Sequence, residues 1–180
     1  MAEQMPNVLA KIVAHKRDEV AKLKQQSPLK SFAGELLPSQ RDFLAALKQS
    51  GPRFILECKK ASPSKGLIRA DFNLQELAQV YNRYADCISV LTDEQFFQGS
   101  YDYLRTMRAL TDKPLLHKDF IIDSYQIYAG RHCGADAVLL MLSVLDDAQY
   151  RELAAVAREL NMTVLTEVSN EEETRRAVAL

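Results

Sequence analysis

Phe54-Ile-Leu-Glu-Cys-Lys-Lys-Ala-Ser-Pro-Ser-Lys-Gly66 starts as a short apolar run and ends as a polar loop. Phe54 to Cys58 reads as a buried strand, and side chains two apart on a strand share one face. Glu57 and Lys59 therefore point the same way at the end of an apolar strand. Isolated buried charges are costly, so a carboxylate and an ammonium persist there only as partners or as functional groups. Charges at a strand's C-terminal end, with a polar loop beyond, mark the mouth of an α/β enzyme.

Four further β-like runs follow this one: Cys87–Thr92, Pro114–Asp119, Ala137–Leu142 and Thr163–Val168, at intervals of about 25 residues. Helix signals fill the gaps. Asn73 with Glu76 is capping-box-like, with Phe72 and Leu77 placed for a hydrophobic staple. Asp123 with Gln126 and Asp146 with Gln149 mark two more starts, and Gly134 marks a stop. Ser169 with Glu172 reads as the clearest capping box, whereas the helix at about 101–110 has the weakest start signal. Strand–helix alternation predicts right-handed βαβ units on a parallel sheet. Either an open doubly wound sheet or part of a (β/α)₈ barrel fits, but no G-x-G-x-x-G or G-x-x-x-x-G-K-[ST] supports the nucleotide-binding open sheet.

Ahead of this pattern, Val8, Leu9, Ile12, Val13, Val20 and Leu23 fit an amphipathic helix over 7–25, ended by Ser27-Pro28. A second short helix is predicted over 41–48, closed by Ser50-Gly51-Pro52. The organisation expected is a helical extension, 1–52, and a strand–helix domain, 53–180.

Composition narrows the function classes. A net charge of −1 gives no electrostatic footprint for nucleic acid. The first 27 residues lack the apolar core of a signal peptide, and the longest apolar run, 137–142, is too short for a bilayer. No membrane association and a cytoplasmic location are expected. Cys58, Cys87 and Cys133 argue against a disulfide framework, and neither they nor His15, His117 and His132 have metal-ligand spacing.

Three strands carry ionisable groups near their C-terminal ends. Glu57 and Lys59 close the first, Lys118 shares a face with Leu116 and Phe120 on the third, and Glu167 shares one with Leu165 on the fifth. If those faces point inward, two lysines and two glutamates converge to supply an acid and a base, and the lysines suit an anionic substrate. One such charge alone is ordinarily a solvated surface group. His117 and Asp119 fall on the face opposite Lys118 and read as structural. Lys60 and Lys65 read as solvated, with Lys65 able to help hold a phosphate. Phe96-Phe97 reads either as a packed lid base or as a substrate-stacking pair.

Four blocks in order, Ile55 to Gly66, Ser89-Val-Leu-Thr-Asp-Glu94 with Phe97-Gln-Gly-Ser100, Lys118-Asp-Phe-Ile-Ile-Asp123 and Leu165-Thr-Glu-Val168, closely resemble indole-3-glycerol phosphate synthase of tryptophan biosynthesis. The resemblance implies a TIM barrel with an N-terminal helical segment over the active-site mouth. It implies a carbon–carbon lyase without metal or organic cofactor. The reaction closes the ring of 1-(2-carboxyphenylamino)-1-deoxyribulose 5-phosphate and releases CO₂ and water. Lys118 matches the general acid of ring closure, Glu57 and Glu167 the carboxylates of later proton transfers, and Lys59 the lysine that binds a substrate anion. Ser62, Phe97 and Phe120 match substrate-contacting positions. A fused phosphoribosylanthranilate isomerase domain is a further partner that the resemblance implies.

Leu180 falls just after the fifth strand and its helix, so the expectation is the first five βα units of a (β/α)₈ barrel. The rest of the phosphate site belongs to later units, and such a piece alone is expected to show little or no activity. A phosphate-sugar binding module and a sugar-phosphate isomerase on a related barrel are the alternatives.

Overall fold

The computed structural model describes the backbone from Met5 to Leu180 and side chains from Val8 onward. Five strands form one parallel sheet in sequence order: β1 (Ile55–Cys58), β2 (Cys87–Leu91), β3 (Leu115–Lys118), β4 (Ala137–Met141) and β5 (Thr163–Glu167). Two helices precede the sheet, α1 (Met5–Gln26) and α2 (Phe43–Leu47). Helix α3 (Leu74–Tyr84) follows β1. A single turn, α4 (Glu94–Phe97), and α5 (Tyr101–Leu110) follow β2. Helices α6 (Ser124–His132), α7 (Asp147–Glu159) and α8 (Glu171–Ala179) follow β3, β4 and β5. Every one of the five predicted strands forms, each one or two residues shorter than its apolar run.

Period two sorts the strand side chains onto two faces. Ile88, Val90, Leu115, Val138 and Leu140 are fully buried and pack with Leu77, Leu104, Ile127 and Leu153 of the covering helices. The other face carries Cys87, Leu116, Ala137 and Leu139, and Phe43 of α2 closes it at the N-terminal end of the sheet. Phe43 is 1% exposed, and burial of such a ring contributes about 2 kcal/mol. Asp42 caps α2 by accepting from the Ala45 N–H at 2.8 Å. Ser39 straps the segment down, its Oγ donating to the buried Asp136 carboxylate at 2.7 Å. This inner face is therefore plugged below and open above, where the charged residues sit.

Most helix starts form as predicted. Asp146 and Gln149 make a complete capping box, and Asp123 caps α6. Asn73 caps α3, but Glu76 does not reach back to the Asn73 N–H, and its carboxylate accepts from the Asn73 side chain instead. At α8 the N-cap lies one residue later than the Ser169–Glu172 pair predicts, at Asn170. Asn170 accepts from the Glu173 N–H, and Glu173 accepts from the Ser169 N–H. Ser100 caps α5, the helix whose start signal is weakest. The two outer strands differ in exposure from the inner three: β5 is partly exposed along its whole length, and Ile55 of β1 is 37% exposed. Among the described residues, no helix is long and apolar enough to cross a membrane.

Candidate active site

Parallel register sets the height of each inward group. Glu57 pairs with Ser89 across β1 and β2, and Lys118 pairs with Leu91 across β2 and β3. Lys118 thus sits on the second strand from Glu57, and its long side chain reaches back over β2. Its Nζ lies 3.1 Å from Glu57 Oε2, while Lys59 Nζ lies 2.6 Å from Glu57 Oε1. The Ser89 Oγ–H donates to Glu57 Oε2 at 3.4 Å. One carboxylate therefore bridges two ammoniums.

Burial alone would raise the Glu57 pKa, but hydrogen bonds and charge from Lys59 and Lys118 outweigh it and hold the carboxyl below its ordinary range. Glu57 is ionised at neutral pH, and the trio carries one surplus positive charge. All three side chains remain partly exposed toward the open end of the face. An anion entering there meets two ammoniums already in position.

Glu167 closes β5 in register with Met141. It shares the inner face, two strands beyond Lys118, or about 10 Å at the usual strand spacing. Among the described residues it makes no ion pair. Three of the four converging groups expected from the sequence therefore touch, and the fourth stands apart from them on the same face.

The Ser-Pro-Ser-Lys-Gly loop folds into a short antiparallel hairpin, Ala61–Ser62 against Gly66–Leu67, in which Ser62 pairs with Gly66. Gly66 turns the chain with φ +63°, a left-handed conformation that favours glycine. Ser62 is half-buried at the hairpin's base, and its Oγ accepts from the Lys65 N–H at 3.3 Å. The Phe96-Phe97 pair divides. Phe97 faces Phe120, with ring centroids 6.0 Å apart, and Phe96 meets the His15 ring edge-on at 5.7 Å. Phe97 and Phe120 thus form an aromatic pair bridging the loops after β2 and β3.

Behind that pair lies a buried charge cluster that the sequence reading missed. Lys16 of α1 is fully buried, and its Nζ lies 2.9 Å from Asp93 Oδ2, 2.9 Å from Asp119 Oδ1 and 2.9 Å from Glu19 Oε1. Burial disfavours the ammonium, but Asp119, Asp93 and Glu19 outweigh it and hold Lys16 cationic. Glu19, the outermost carboxyl, is pushed up by burial, against the pull of Lys16. The signal was present in the helix register: Ile12, Lys16 and Val20 are spaced i, i+4, i+8, so a lysine occupies the centre of the apolar stripe.

His117 and Asp119 join this cluster from the outer face of the sheet. The Thr92 Oγ1–H donates to Asp119 Oδ2 at 2.6 Å, and the same oxygen lies 2.9 Å from His117 Nε2. Thr92 has one hydroxyl proton, so His117 Nε2–H is the donor and Nδ1 carries the lone pair. Burial is the main cause that lowers the His117 pKa to about 4. Among the described residues, no group of three or more His, Cys, Asp or Glu side chains is arranged to hold a metal ion.

Comparison with known proteins gives the family. The family model described as indole-3-glycerol phosphate synthase matches residues 9–180. The chain is 58% identical over 177 residues to a tryptophan biosynthesis protein TrpCF of Vibrio parahaemolyticus, covering 98% of this chain and 37% of that protein. It is 59% identical over 176 residues to the protein of the same name from Salmonella typhi, covering 98% and 39%. The chain thus spans about two fifths of the length of these curated relatives. Among solved structures, a mandelate oxidase mutant with (S)-mandelic acid aligns with a TM-score of 0.54 and 14% identity, over 72% of this chain and 47% of that one. That likeness concerns the fold alone, which is a TIM-barrel-like α/β arrangement. The matched region contains every strand that carries an inward charge, and on that match the chain belongs to the indole-3-glycerol phosphate synthase family.

Proposed function

We propose that these residues carry the catalytic cluster of an indole-3-glycerol phosphate synthase acting in tryptophan biosynthesis, a carboxy-lyase in the cytoplasm. The single observation that carries the reading is the Lys59–Glu57–Lys118 bridge at the open end of the inner face. The substrate, 1-(2-carboxyphenylamino)-1-deoxyribulose 5-phosphate, brings a carboxylate and a phosphate to a site with surplus positive charge.

In the proposed reaction the ring carbon bearing the carboxylate attacks the ribulose carbonyl. The new C–C bond forms as the carbonyl oxygen takes a proton from Lys118, whose ammonium stabilises the developing negative charge. Lys59 holds the substrate carboxylate until it leaves as CO₂. The remaining hydroxyl then leaves as water with a proton from an acid, while a base removes the proton that completes the indole. Glu57 and Glu167 act in these proton transfers. Phe97 and Phe120 flank the aromatic ring and exclude water, and Ser62 contacts the substrate from the hairpin.

The division into an extension, 1–52, and a barrel part, 53–180, belongs to the same proposal. The five strand–helix units are read as the first five of a (β/α)₈ barrel, with further units completing the phosphate site. The longer relatives leave room for those units and for a fused phosphoribosylanthranilate isomerase domain.

The test is turnover of the carboxyphenylamino substrate by the intact protein, followed through the fluorescence of the indole product. Product that depends on Lys118 supports the reading. Consumption of a sugar phosphate without CO₂ release would replace it with an isomerase.

A further inference from the structure

We infer that Lys16 of the N-terminal helix is a positioning residue for the reaction: it locks the two segments that carry Phe97 and Phe120, the second of which follows directly on Lys118 at the end of β3. The inference rests on the synthase reading for what those side chains act upon. The lock itself is a matter of geometry.

Lys16 brings no polar group to the open face. Its ammonium is fully buried and lies against two carboxylates from different loops, Asp93 after β2 and Asp119 after β3. Each carboxylate holds aromatic backbone on its own side, Asp93 two residues and Asp119 one. Asp93 Oδ1 accepts from the N–H groups of Phe96 and Phe97, at 2.7 and 3.2 Å. Asp119 Oδ1 accepts from the Phe120 N–H at 2.8 Å, and Asp119 directly follows Lys118 in the chain. The same cation therefore fixes both sides of the Phe97–Phe120 pair and the end of the strand bearing Lys118.

Electrostatics explains why the lock needs a charge. Asp93 and Asp119 are both fully buried, so without Lys16 two carboxylates would face each other in a dry site. Their repulsion would part the two loops. Thr92 reinforces the Asp119 side, and the His15–Phe96 contact reinforces the Asp93 side. Both ring-bearing loops are thereby tied to the helix, and the helix becomes part of the site without touching substrate.

The inference separates from general stability by where its effect falls. In native-state hydrogen exchange on the intact protein, the amides of α1 around Lys16 and those of Phe96, Phe97 and Phe120 should open together, with one denaturant dependence. Independent opening of the helix and the loops would overturn the lock, and this measurement requires no variant. In Lys16→Met, the amides of Phe96, Phe97 and Phe120 should lose at least about tenfold protection relative to the amides of β4. Uniform loss across the sheet would reduce Lys16 to a stabilising residue and overturn the proposal. Lys16→Arg, which keeps a charge that can bridge both carboxylates, should restore local protection. In turnover, Lys16→Met should raise KM for the carboxyphenylamino substrate about tenfold with a smaller change in kcat, since the ring pair binds while Lys118 remains. Lys16→Arg should reverse the KM change, and an equal effect on both constants would contradict the assignment. An intact protein with no synthase turnover would overturn the synthase reading, and the exchange data alone would then decide the lock.

Discussion

Lys118 Nζ lies 3.1 Å from Glu57 Oε2 although β2 runs between their strands. The contact is possible because Lys118 stands level with Leu91 at the top of β2, while Glu57 stands level with Ser89, one inward position lower. A four-carbon stem spans that diagonal. Lys59 approaches the same carboxylate from the other side, so Glu57 sets the position of both ammoniums at once.

Glu57→Gln removes the charge that gathers the two lysines. The expected result is a loss of kcat of about 10²–10⁴-fold in the intact protein, the range for an acid–base group. The fold should persist, since all three side chains are partly solvated. A steady-state assay beside a thermal melt checks both halves. Because Glu57 is held below the ordinary carboxylate range, the trio stays intact as pH falls through that range and breaks only below it. The acid limb of an activity profile set by Glu57 should accordingly lie lower than for a free carboxyl.

His117 makes stability depend on pH in a definite window. The unfolded chain takes up a proton near pH 6.5, whereas the folded protein keeps His117 neutral down to about 4. Between these values the unfolded state binds more protons, so stability falls as pH falls. The full loss from this one group is about 3 kcal/mol, reached below pH 4. His117→Gln, whose amide can still donate to Thr92 Oγ1, should flatten that part of the curve. Denaturant titrations at pH 7.5, 6, 5 and 4 on both proteins would follow the difference, each value being about a unit apart in the range that matters.

Asp136 should be among the costliest residues to truncate. Fully buried, it accepts from Arg108 Nη1 at 2.9 Å, Arg131 Nη1 at 3.1 Å, the Leu115 N–H at 3.0 Å and Ser39 Oγ at 2.7 Å. Asp136→Ala leaves two guanidiniums without their shared anion and frees the strap that carries α2. A loss of about 3–5 kcal/mol is expected by chemical denaturation. Ser39→Ala, which removes only one of the four donors, should cost about 1 kcal/mol.

Gly130 of α6 lies against the His117 ring, and a Cβ there would overlap Nδ1. Gly130→Ala must push the helix or the ring away, at a cost of about 1–3 kcal/mol. The movement should weaken the His117–Thr92 hydrogen bond, so the His117 ring signals should shift in NMR spectra. An unperturbed ring in the alanine variant would show that the helix yields instead.

The strands were legible because each is an apolar run of strand length bounded by turn residues, and the inward charges were legible because period two puts Glu57 beside Lys59 and Lys118 beside Leu116. What period two cannot supply is sheet order. That order places Glu167 two strands from Lys118 and lets Lys118 and Glu57 meet across β2. Lys16 was illegible for a different reason. It is one of several cations on α1, with Lys11, Arg17, Lys22 and Lys24, and only its register with Ile12 and Val20 distinguishes it. The α8 cap was misread by one residue because Ser169–Glu172 and Asn170–Glu173 offer the same pattern. Backbone geometry at Asn170 decides between them.

The most direct test of the central claim is turnover of 1-(2-carboxyphenylamino)-1-deoxyribulose 5-phosphate by the intact protein and its Lys118→Ala variant, read as indole fluorescence. If Lys118 is the proton donor gathered by Glu57, the variant should lose about 10²–10⁴-fold in kcat, with a normal thermal melt. Unaltered turnover in Lys118→Ala would contradict the role assigned to the Lys59–Glu57–Lys118 bridge.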